Sequence, residues 1–158
     1  MPIRAINRKR VTRATPDQAE TLTHIAFTAK RHWGYPERWI QLWSPVLTVT
    51  PEFIATYETY LAWMDKQPVG FCAISQEGDK VSVEHLWVLP DYMGKGIGAE
   101  LFRHMLSRCK ELEIHILEIE SDPNAQGFYE RMGAHKVGEV RGKVDGQTRI
   151  LPLLEISL

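Results

Sequence analysis

Hydrophobic residues recur at two different spacings along this chain, and the change of spacing separates predicted helices from predicted strands. Between residues 19 and 29 they follow the three-and-four spacing of a helix that buries one face, and the segment Thr15-Pro16-Asp17-Gln18 supplies a typical helix start. The stretch 37–47 shows the same helical spacing. From Tyr57 onward the spacing becomes two, which predicts β-strands.

Short turns join the strands that follow Tyr57, so these strands are predicted to be antiparallel neighbours. A helix that begins around Gly98 then connects two strands, and a crossover of this kind makes them parallel. A last hairpin is predicted about Asp145-Gly146, a favoured turn pair. The predicted strands cover residues 10–14, 57–64, 69–75, 81–88, 115–120, 135–142 and 148–156, and a short helix covers residues 124–132.

The order of predicted elements is β-α-α-β-β-β-α-β-α-β-β. This order predicts an α/β (α+β) fold, with a mixed central sheet of about seven strands and four helices. A chain of 158 residues is long enough for one domain with a substantial core. We therefore expect a single domain over residues 1–158, in which residues 1–9 form a flexible basic arm before the first strand.

Composition narrows the range of partners. The net charge of −1 gives no reason to expect nucleic acid, and no apolar run reaches the ~18 residues of a transmembrane helix, so no membrane partner is expected. Cys72 and Cys109 lie in predicted core elements without Cys-x-x-Cys spacing, which favours free thiols in a reducing cytoplasm. The six histidines include no His-x-x-x-His pair, so we expect no metal site. A homodimer is left open.

The segment from Leu86 to Glu100 is predicted to hold a phosphate or pyrophosphate. It contains an apolar strand, a turn with glycines at 94, 96 and 98, and the start of a helix. Glycine lets a backbone approach a ligand closely and adopt positive φ. The first N–H groups of the helix have no intrahelical partners, and together with the helix dipole they favour an anion.

The residues of this loop alone allow more than one interpretation. A P-loop needs Ser or Thr after its lysine, but Gly96 follows Lys95. A dinucleotide-binding fingerprint fits in its permissive form, Gly94-x-Gly96-x-x-Ala99, with Glu118 about 20 residues further on. However, a Rossmann fold would place the loop in its first βαβ unit rather than after antiparallel strands. An ordinary glycine-rich turn is the remaining alternative.

Residues 88–98, with their strand and glycine loop, and residues 124–134, Asn-Ala-Gln-Gly-Phe-Tyr-Glu-Arg-Met-Gly-Ala, form two motifs. Together they give nearly the whole chain a resemblance to the GNAT superfamily of acyl-CoA N-acyltransferases. Residues 88–98 resemble the family's strand, pyrophosphate loop and helix, with the loop pattern Arg/Gln-x-x-Gly-x-Gly/Ala, except that Met93 stands where Arg or Gln is usual. Residues 124–134 are similar to the family's Asn-x-x-Ala-x-x-Phe-Tyr-x-x-x-Gly-Phe, with departures at Gly127 and Ala134. Their order, with a predicted strand between them, supports the resemblance.

The resemblance implies direct transfer of an acetyl group from acetyl-CoA to a primary amine, carried by a small molecule or a peptide, within a ternary complex. A backbone N–H near residues 86–88 is expected to stabilise the oxyanion. A GNAT-like module that binds acyl-CoA without turnover is the alternative function. The residues implied in acetyl-CoA binding are Leu86, Trp87, Val88, Met93, Gly94, Lys95, Gly96, Ile97, Gly98, Ala99, Asn124 and Phe128.

The resemblance also implies two catalytic residues. Tyr129 matches the family tyrosine that faces the CoA sulfur, where it would protonate the leaving thiolate; core packing beside Phe128 is the alternative. Glu84 lies on the strand before the glycine loop, where many family members place a glutamate that accepts the amine proton. A solvated strand residue is the alternative for Glu84, and strand alternation predicts that His85 points to the opposite face.

Aromatic residues concentrate between Trp33 and Trp43 and suggest a site for the acceptor. Trp33 and Tyr35 lie on a predicted loop, where binding residues often occur, whereas Trp39 and Trp43 are four apart and share a helix face. We expect Trp33, Tyr35 and Trp39 to contact the acceptor amine, with packing in the core as the alternative.

Overall fold

A seven-stranded sheet forms the centre of the molecule, and a computed structural model describes it over residues 8–158. The strands are β1 (Lys9–Arg13), β2 (Glu58–Met64), β3 (Gln67–Glu77), β4 (Lys80–Val88), β5 (Ile116–Glu120), β6 (His135–Val144) and β7 (Gln147–Ser157). Their order in the sheet is β1-β2-β3-β4-β5-β7-β6. All neighbouring pairs are antiparallel except β4 and β5, which are parallel as predicted.

Helices cover both faces of this sheet and divide the core in two. The helices are α1 (Ala19–His32), α2 (Glu37–Leu42), α3 (Ser44–Leu47), α4 (Pro51–Thr56), α5 (Ile97–Glu111) and α6 (Gln126–Arg131). On one face α1 to α4 pack against Leu61 and Phe71, and on the other α5 and α6 pack against Cys72 and Ile74. Phe71 and Cys72 are adjacent in β3, so their opposite directions follow from strand alternation. Cys72 and Cys109 are buried free thiols, as expected.

The start of the sheet lies one residue earlier than predicted. Lys9, which we assigned to the basic arm, is the first residue of β1 and pairs with Met64. The backbone N–H of Asp65 donates a hydrogen bond of 2.7 Å to the carbonyl oxygen of Arg8, which anchors the chain just before β1. The rest of the predicted arm, residues 1–7, lies outside the described residues.

The helical region between α1 and β2 differs from the prediction of one helix over residues 37–47. It contains α2 and α3, separated at Trp43, because Pro45 has no N–H to continue the helix and its ring would clash with the preceding turn. A third helix, α4, was not predicted. Its start at Thr50-Pro51 repeats the signal at Thr15-Pro16, since the hydroxyl oxygen of Thr50 accepts a hydrogen bond from the N–H of Phe53 at 3.0 Å.

The parallel strands β4 and β5 pair along only part of their length. Lys80, Val81 and Ser82 pair with residues 116–118, and no residue of β4 after Ser82 has a partner in β5. From that point the two strands diverge, while β5 continues to pair with β7. The divergence leaves a gap inside the sheet, next to the start of α5.

Candidate active site

A cleft of about 500 Å³ occupies the gap between β4 and β5. One wall is formed by residues 83–88 of β4. The other wall is formed by the segment that leads into α6 and by α6 itself, with residues 124, 125 and 127–129. Residues 92–94 and 96–99 line the end of the cleft at the start of α5. The two sequence motifs therefore face each other across one cavity. Of the predicted cofactor-binding residues, only Lys95 is absent from the lining, and its ammonium lies 5.5 Å from the centre of the Tyr92 ring.

The glycine loop has the geometry of an anion site. Gly94 and Gly96 adopt positive φ values of 77° and 82°, which few other residues tolerate. Gly96 immediately precedes α5, so the unpaired N–H groups of the first helical turn lie beside it. A Cβ atom on Gly98 would lie 3.3 Å from the Phe128 ring, so this glycine allows the start of α5 to approach α6 closely.

A basic side chain from the segment predicted to be a flexible arm, Lys9, reaches this loop. A Cβ built on Gly96 would lie 3.2 Å from Nζ of Lys9. The ammonium of Lys9 therefore lies directly over the glycine loop, although 87 residues separate the two positions. Met93, which replaces the Arg or Gln usual in the resembled family, supplies no charge there. No local pattern links Lys9 to the loop, because the contact depends on β1 lying near the N-terminus of α5.

Tyr129 is a buried residue that forms part of the cleft lining. The residue is 6% exposed, and its ring lies 5.9 Å from the Phe102 ring and 5.3 Å from the Phe128 ring. Burial raises the pKa of Tyr129, so the phenol stays protonated at neutral pH.

Glu84 lies at an irregularity in β4. Ala73 of β3 pairs with His85 and Ile74 pairs with Val83, so Glu84 is an extra residue without a partner in β3. Its carboxylate accepts a hydrogen bond of 2.6 Å from the hydroxyl of Ser75. Glu84 is exposed and lines the cleft, so its carboxylate is accessible to a ligand.

This bulge changes the direction of His85. Val83 and Leu86, three residues apart, pack on the same side of the sheet, whereas strict alternation would place them on opposite sides. His85 instead packs between Phe53 and Phe71, on the side of Glu84, so the prediction that these two residues face opposite ways is wrong. The reason is the extra residue, which shifts the alternation by one.

A network of charged and polar side chains lies behind the wall of the cleft formed by Asp122 and Asn124. The Asp122 carboxylate accepts hydrogen bonds from Nζ of Lys30 at 2.7 Å and from the hydroxyl of Tyr35 at 3.0 Å. Arg149 donates to the Tyr35 hydroxyl at 2.6 Å. Burial alone would raise the pKa of Asp122, but the charge of Lys30 and these hydrogen bonds lower it below its usual value, so the carboxylate is ionised.

The four aromatic residues predicted near the acceptor do not share one environment. Trp33 is 37% exposed and lines the cleft. Tyr35 and Trp39 are absent from the lining; Tyr35 belongs to the network of Asp122, and Trp39 stacks on Tyr35 with ring centres 6.1 Å apart. Trp43 meets Tyr35 edge to face at 5.0 Å and packs against the core under α1. The structure thus brings only Trp33 to the cleft.

Other cleft residues were missed by the sequence analysis. Glu120 is the last residue of β5, and Asp122 lies two residues further on. Both line the cleft, as does Arg131 of α6. The sequence Asp122-Pro123-Asn124 carries a turn signal that could have drawn attention to Asp122, which accepts a hydrogen bond from the N–H of Asn124 at 2.8 Å.

Among residues 8–158, no group of three His, Cys, Asp or Glu side chains is arranged to hold a metal. No helix in that part of the chain is long and apolar enough to cross a membrane.

Comparison with known proteins identifies relatives of this chain. The model of the acetyltransferase (GNAT) domain matches residues 48–148, which is more than half of the chain. The peptidyl-lysine N-acetyltransferase YjaB of Escherichia coli is 34% identical over 91 residues, 58% of this chain and 56% of that protein. The chain thus spans little more than half the length of this relative.

Solved structures share the fold over almost the full chain. A GCN5-related N-acetyltransferase from Rhodopseudomonas palustris has a TM-score of 0.79 with 19% identity, covering 98% of this chain and 99% of the other. PaiA N-acetyltransferase from Thermoplasma acidophilum, in complex with coenzyme A, has a TM-score of 0.76 with 18% identity, covering 96% and 99%. These two comparisons concern the fold alone, because the identities are low.

Proposed function

The chain belongs to the GNAT family of acetyltransferases, and from this premise we propose that it transfers an acetyl group from acetyl-CoA to a primary amine. The observation that carries the proposal is the position of three features in one cleft. The glycine loop, Tyr129 and Glu84 all line the same 500 Å³ cavity. An anion site, a proton donor and a proton acceptor are what this transfer requires.

The glycine loop would bind the pyrophosphate of acetyl-CoA. Backbone N–H groups at the start of α5 supply the donors, and the ammonium of Lys9 adds positive charge. The residues of β4 after Ser82 have no partner in β5, so their backbone groups are free to pair with the amide groups of the pantetheine arm. This arrangement would bring the acetyl thioester between Glu84 and Tyr129.

Two side chains would handle the protons of the transfer. An amine attacks only as the free base, so the carboxylate of Glu84, directly or through water, would accept its proton. The attack forms a C–N bond at the thioester carbon, and its C–S bond then breaks. The raised pKa of Tyr129 keeps its phenol protonated, so its hydroxyl can give a proton to the departing sulfur. A backbone N–H among residues 86–88 is proposed to stabilise the oxyanion.

The acceptor would be a cationic amine, such as the side chain of a lysine in a peptide. Glu84 and Glu120 lie on the two diverging strands at the mouth of the cleft. The carboxylate of the nearby Asp122 forms a salt bridge with Lys30, so its charge is already balanced. The carboxylates of Glu84 and Glu120 would therefore attract the cationic acceptor. The Trp33 ring, which lines the same cleft, offers an apolar face that also attracts an ammonium. The E. coli relative is named for the acetylation of lysines in peptides, which supports the same acceptor class.

The buried free thiols Cys72 and Cys109 support a cytoplasmic location for this activity. We propose that residues 1–158 form one acyltransferase domain without a nucleic-acid or membrane partner.

Release of free thiol from acetyl-CoA, measured over a panel of amines and lysine peptides, tests the proposed activity. We expect turnover with at least one amine and loss of turnover when acetyl-CoA is replaced by coenzyme A. A chain that binds coenzyme A but releases no thiol with any amine would instead be a silent acyl-CoA-binding module. No binding of coenzyme A at all would refute both functions.

A further inference from the structure

The amide of Asn124 has a fixed orientation. Its Nδ2 donates a hydrogen bond of 2.9 Å to Oδ1 of Asp122 and another of 3.0 Å to the hydroxyl oxygen of Tyr35. An ionised carboxylate only accepts hydrogen bonds, so the nitrogen and not the oxygen of the amide must face Asp122. Both hydrogens of the amide are then used. The Asn124 carbonyl oxygen is the atom of this side chain left to contact a ligand, and Asn124 lines the cleft.

The groups that hold this amide come from distant parts of the chain. Lys30 lies on α1, Tyr35 on the loop before α2, Asp122 after β5 and Arg149 on β7. The side chains of Lys30, Asp122 and Arg149 are 9%, 11% and 17% exposed, so their hydrogen bonds are shielded from water.

The cations of this network are themselves held by an aromatic ring. Lys30 and Arg149 lie 4.3 Å and 4.8 Å from the centre of the Trp43 ring. The Trp43 ring therefore restrains both cations of the network.

We propose that Tyr35 and Asp122 are positioning residues that aim the Asn124 carbonyl oxygen at an amide N–H of the pantetheine arm of acetyl-CoA. The inference rests on the proposed function, because it assigns a role within the acyl-CoA cleft. It also gives Tyr35 a task different from the acceptor contact predicted from the sequence. A hydrogen bond from an amide N–H of pantetheine requires an acceptor oxygen on Asn124. The two acceptors that hold Nδ2, Oδ1 of Asp122 and the Tyr35 hydroxyl oxygen, prevent the flipped orientation of the amide.

A purely structural role for the network would have a different signature. In that case removal of the Tyr35 hydroxyl would loosen α1, the loop and β7 together, and every ligand of the cleft would bind less well. In the positioning role only ligands that carry the pantetheine arm are affected. Adenosine 3′,5′-bisphosphate keeps the 3′-phosphate and the first of the two 5′-phosphates of coenzyme A but lacks the second phosphate and this arm, so it separates the two roles.

The test compares Tyr35→Phe with the wild-type chain by calorimetric titration of coenzyme A and of adenosine 3′,5′-bisphosphate. We expect the affinity for coenzyme A to fall about tenfold, the size of one net hydrogen bond, while the affinity for the bisphosphate stays unchanged. Tyr57→Phe is the matched control, because Tyr57 lies on the surface outside the network, and it should change neither affinity. Equal losses for both ligands in Tyr35→Phe would overturn the proposal.

A double-mutant cycle with Asn124→Leu tests whether Tyr35 acts through Asn124. Since the leucine has no oxygen to aim, Tyr35→Phe should have no further effect on coenzyme A affinity in that background. A tenfold loss in both backgrounds would overturn the proposal. If the wild-type chain binds neither ligand, the proposed function fails with it, whereas coenzyme A binding that is insensitive to Tyr35→Phe refutes this inference alone.

Discussion

The indole N–H of Trp87 donates a hydrogen bond of 2.9 Å to Nδ1 of His85, two residues earlier on β4. A ring nitrogen that accepts a hydrogen bond carries no proton, so His85 is neutral with its proton on Nε2. Burial lowers the pKa of His85 to about 4, and the flanking rings of Phe53 and Phe71 offer no compensating charge. The wall of the cleft beside Glu84 therefore carries an uncharged histidine at neutral pH.

This neutral histidine predicts a pH dependence of stability. The pKa of His85 is about 4 in the folded chain and about 6.5 in the unfolded chain, so the unfolded state binds the proton first as the pH falls. The free energy of unfolding should therefore decrease between pH 6.5 and pH 4, by about 3 kcal/mol, and this contribution should then level off. Urea denaturation at a series of pH values measures it.

Variants separate His85 from other groups that titrate in this range. His85→Gln keeps an acceptor for Trp87 but has no pKa there, so the slope of stability against pH should flatten. His24→Gln removes an exposed histidine and should leave the slope as it is. Equal slopes in the wild-type chain and His85→Gln would contradict the prediction.

Tyr129→Phe should lower kcat by about tenfold or more with little change in acetyl-CoA affinity. The substitution removes the hydroxyl proposed as the proton donor and keeps the ring that packs against Phe102 and Phe128. General acid catalysis typically contributes about 10²-fold or more. Steady-state kinetics and calorimetry give the two quantities. Tyr60→Phe, which alters a buried tyrosine outside the cleft lining, is the control, and an unchanged kcat in Tyr129→Phe would remove this residue from the mechanism.

Gly96→Glu should abolish measurable coenzyme A binding. The substitution adds a side chain and a negative charge at the loop, in a backbone conformation with φ of 82° that residues other than glycine seldom adopt. Gly96→Gln has the same size and strain without the charge, so the difference between the two variants measures the electrostatic part. Gly142→Glu places the same charge on β6, where a Cβ meets no atom within 4 Å, and should leave binding intact. Unchanged affinity in Gly96→Glu would refute the cofactor site.

Lys9→Met should weaken coenzyme A binding roughly fivefold at low salt. The ammonium lies over the glycine loop, where Met93 supplies no charge, and its effect should shrink as salt is added because it is exposed. Arg10→Met is the control with the same loss of charge, since Arg10 stacks over Trp63 instead. Titration at two salt concentrations measures both effects. Equal losses in the two variants would indicate a general effect of net charge.

Trp33→Ala should raise the KM for the acceptor amine severalfold and leave the melting temperature nearly unchanged. Trp33 is the one ring of its group in the cleft lining, and it is 37% exposed. Trp39→Ala should instead lower stability, by an amount approaching the about 3–5 kcal/mol of aromatic core residues, because its ring packs on Tyr35 and Trp43. If Trp39→Ala raises the acceptor KM without destabilising the chain, the acceptor also reaches α2.

The structural features predicted correctly from the sequence are those that depend on residues close together along the chain. The strand, glycine loop and helix around Gly96 follow each other directly, and the Asp145-Gly146 turn has the positive φ values of 51° and 76° that this pair favours. The break at Pro45 and the start of α4 at Thr50-Pro51 could also have been read, because each depends on local proline and capping chemistry.

Contacts between distant residues could not be read from the sequence. Asp122 and Lys30 are 92 residues apart, and Arg149 and Tyr35 are 114 apart, so only the folded sheet brings them together. The β-bulge at Glu84 could not be predicted from the sequence either, because residues 81–88 contain no glycine or proline that would indicate it. Its position depends on how β4 pairs with β3, which is a property of both strands.

The separation of β4 and β5 also affects the tendency of the protein to aggregate through unpaired strands. A strand with unpaired N–H and C=O groups is a template for edge-to-edge pairing and aggregation when it lies at the outside of a sheet. Here the unpaired side of β4 after Ser82 faces inward, between neighbouring strands of the same sheet and beside α6. Because β5 and α6 flank it, this backbone is not an outer edge on which a second protein strand could pair. A narrow chain of amide groups would fit, so the same backbone is protected from self-association and left available to a slender ligand.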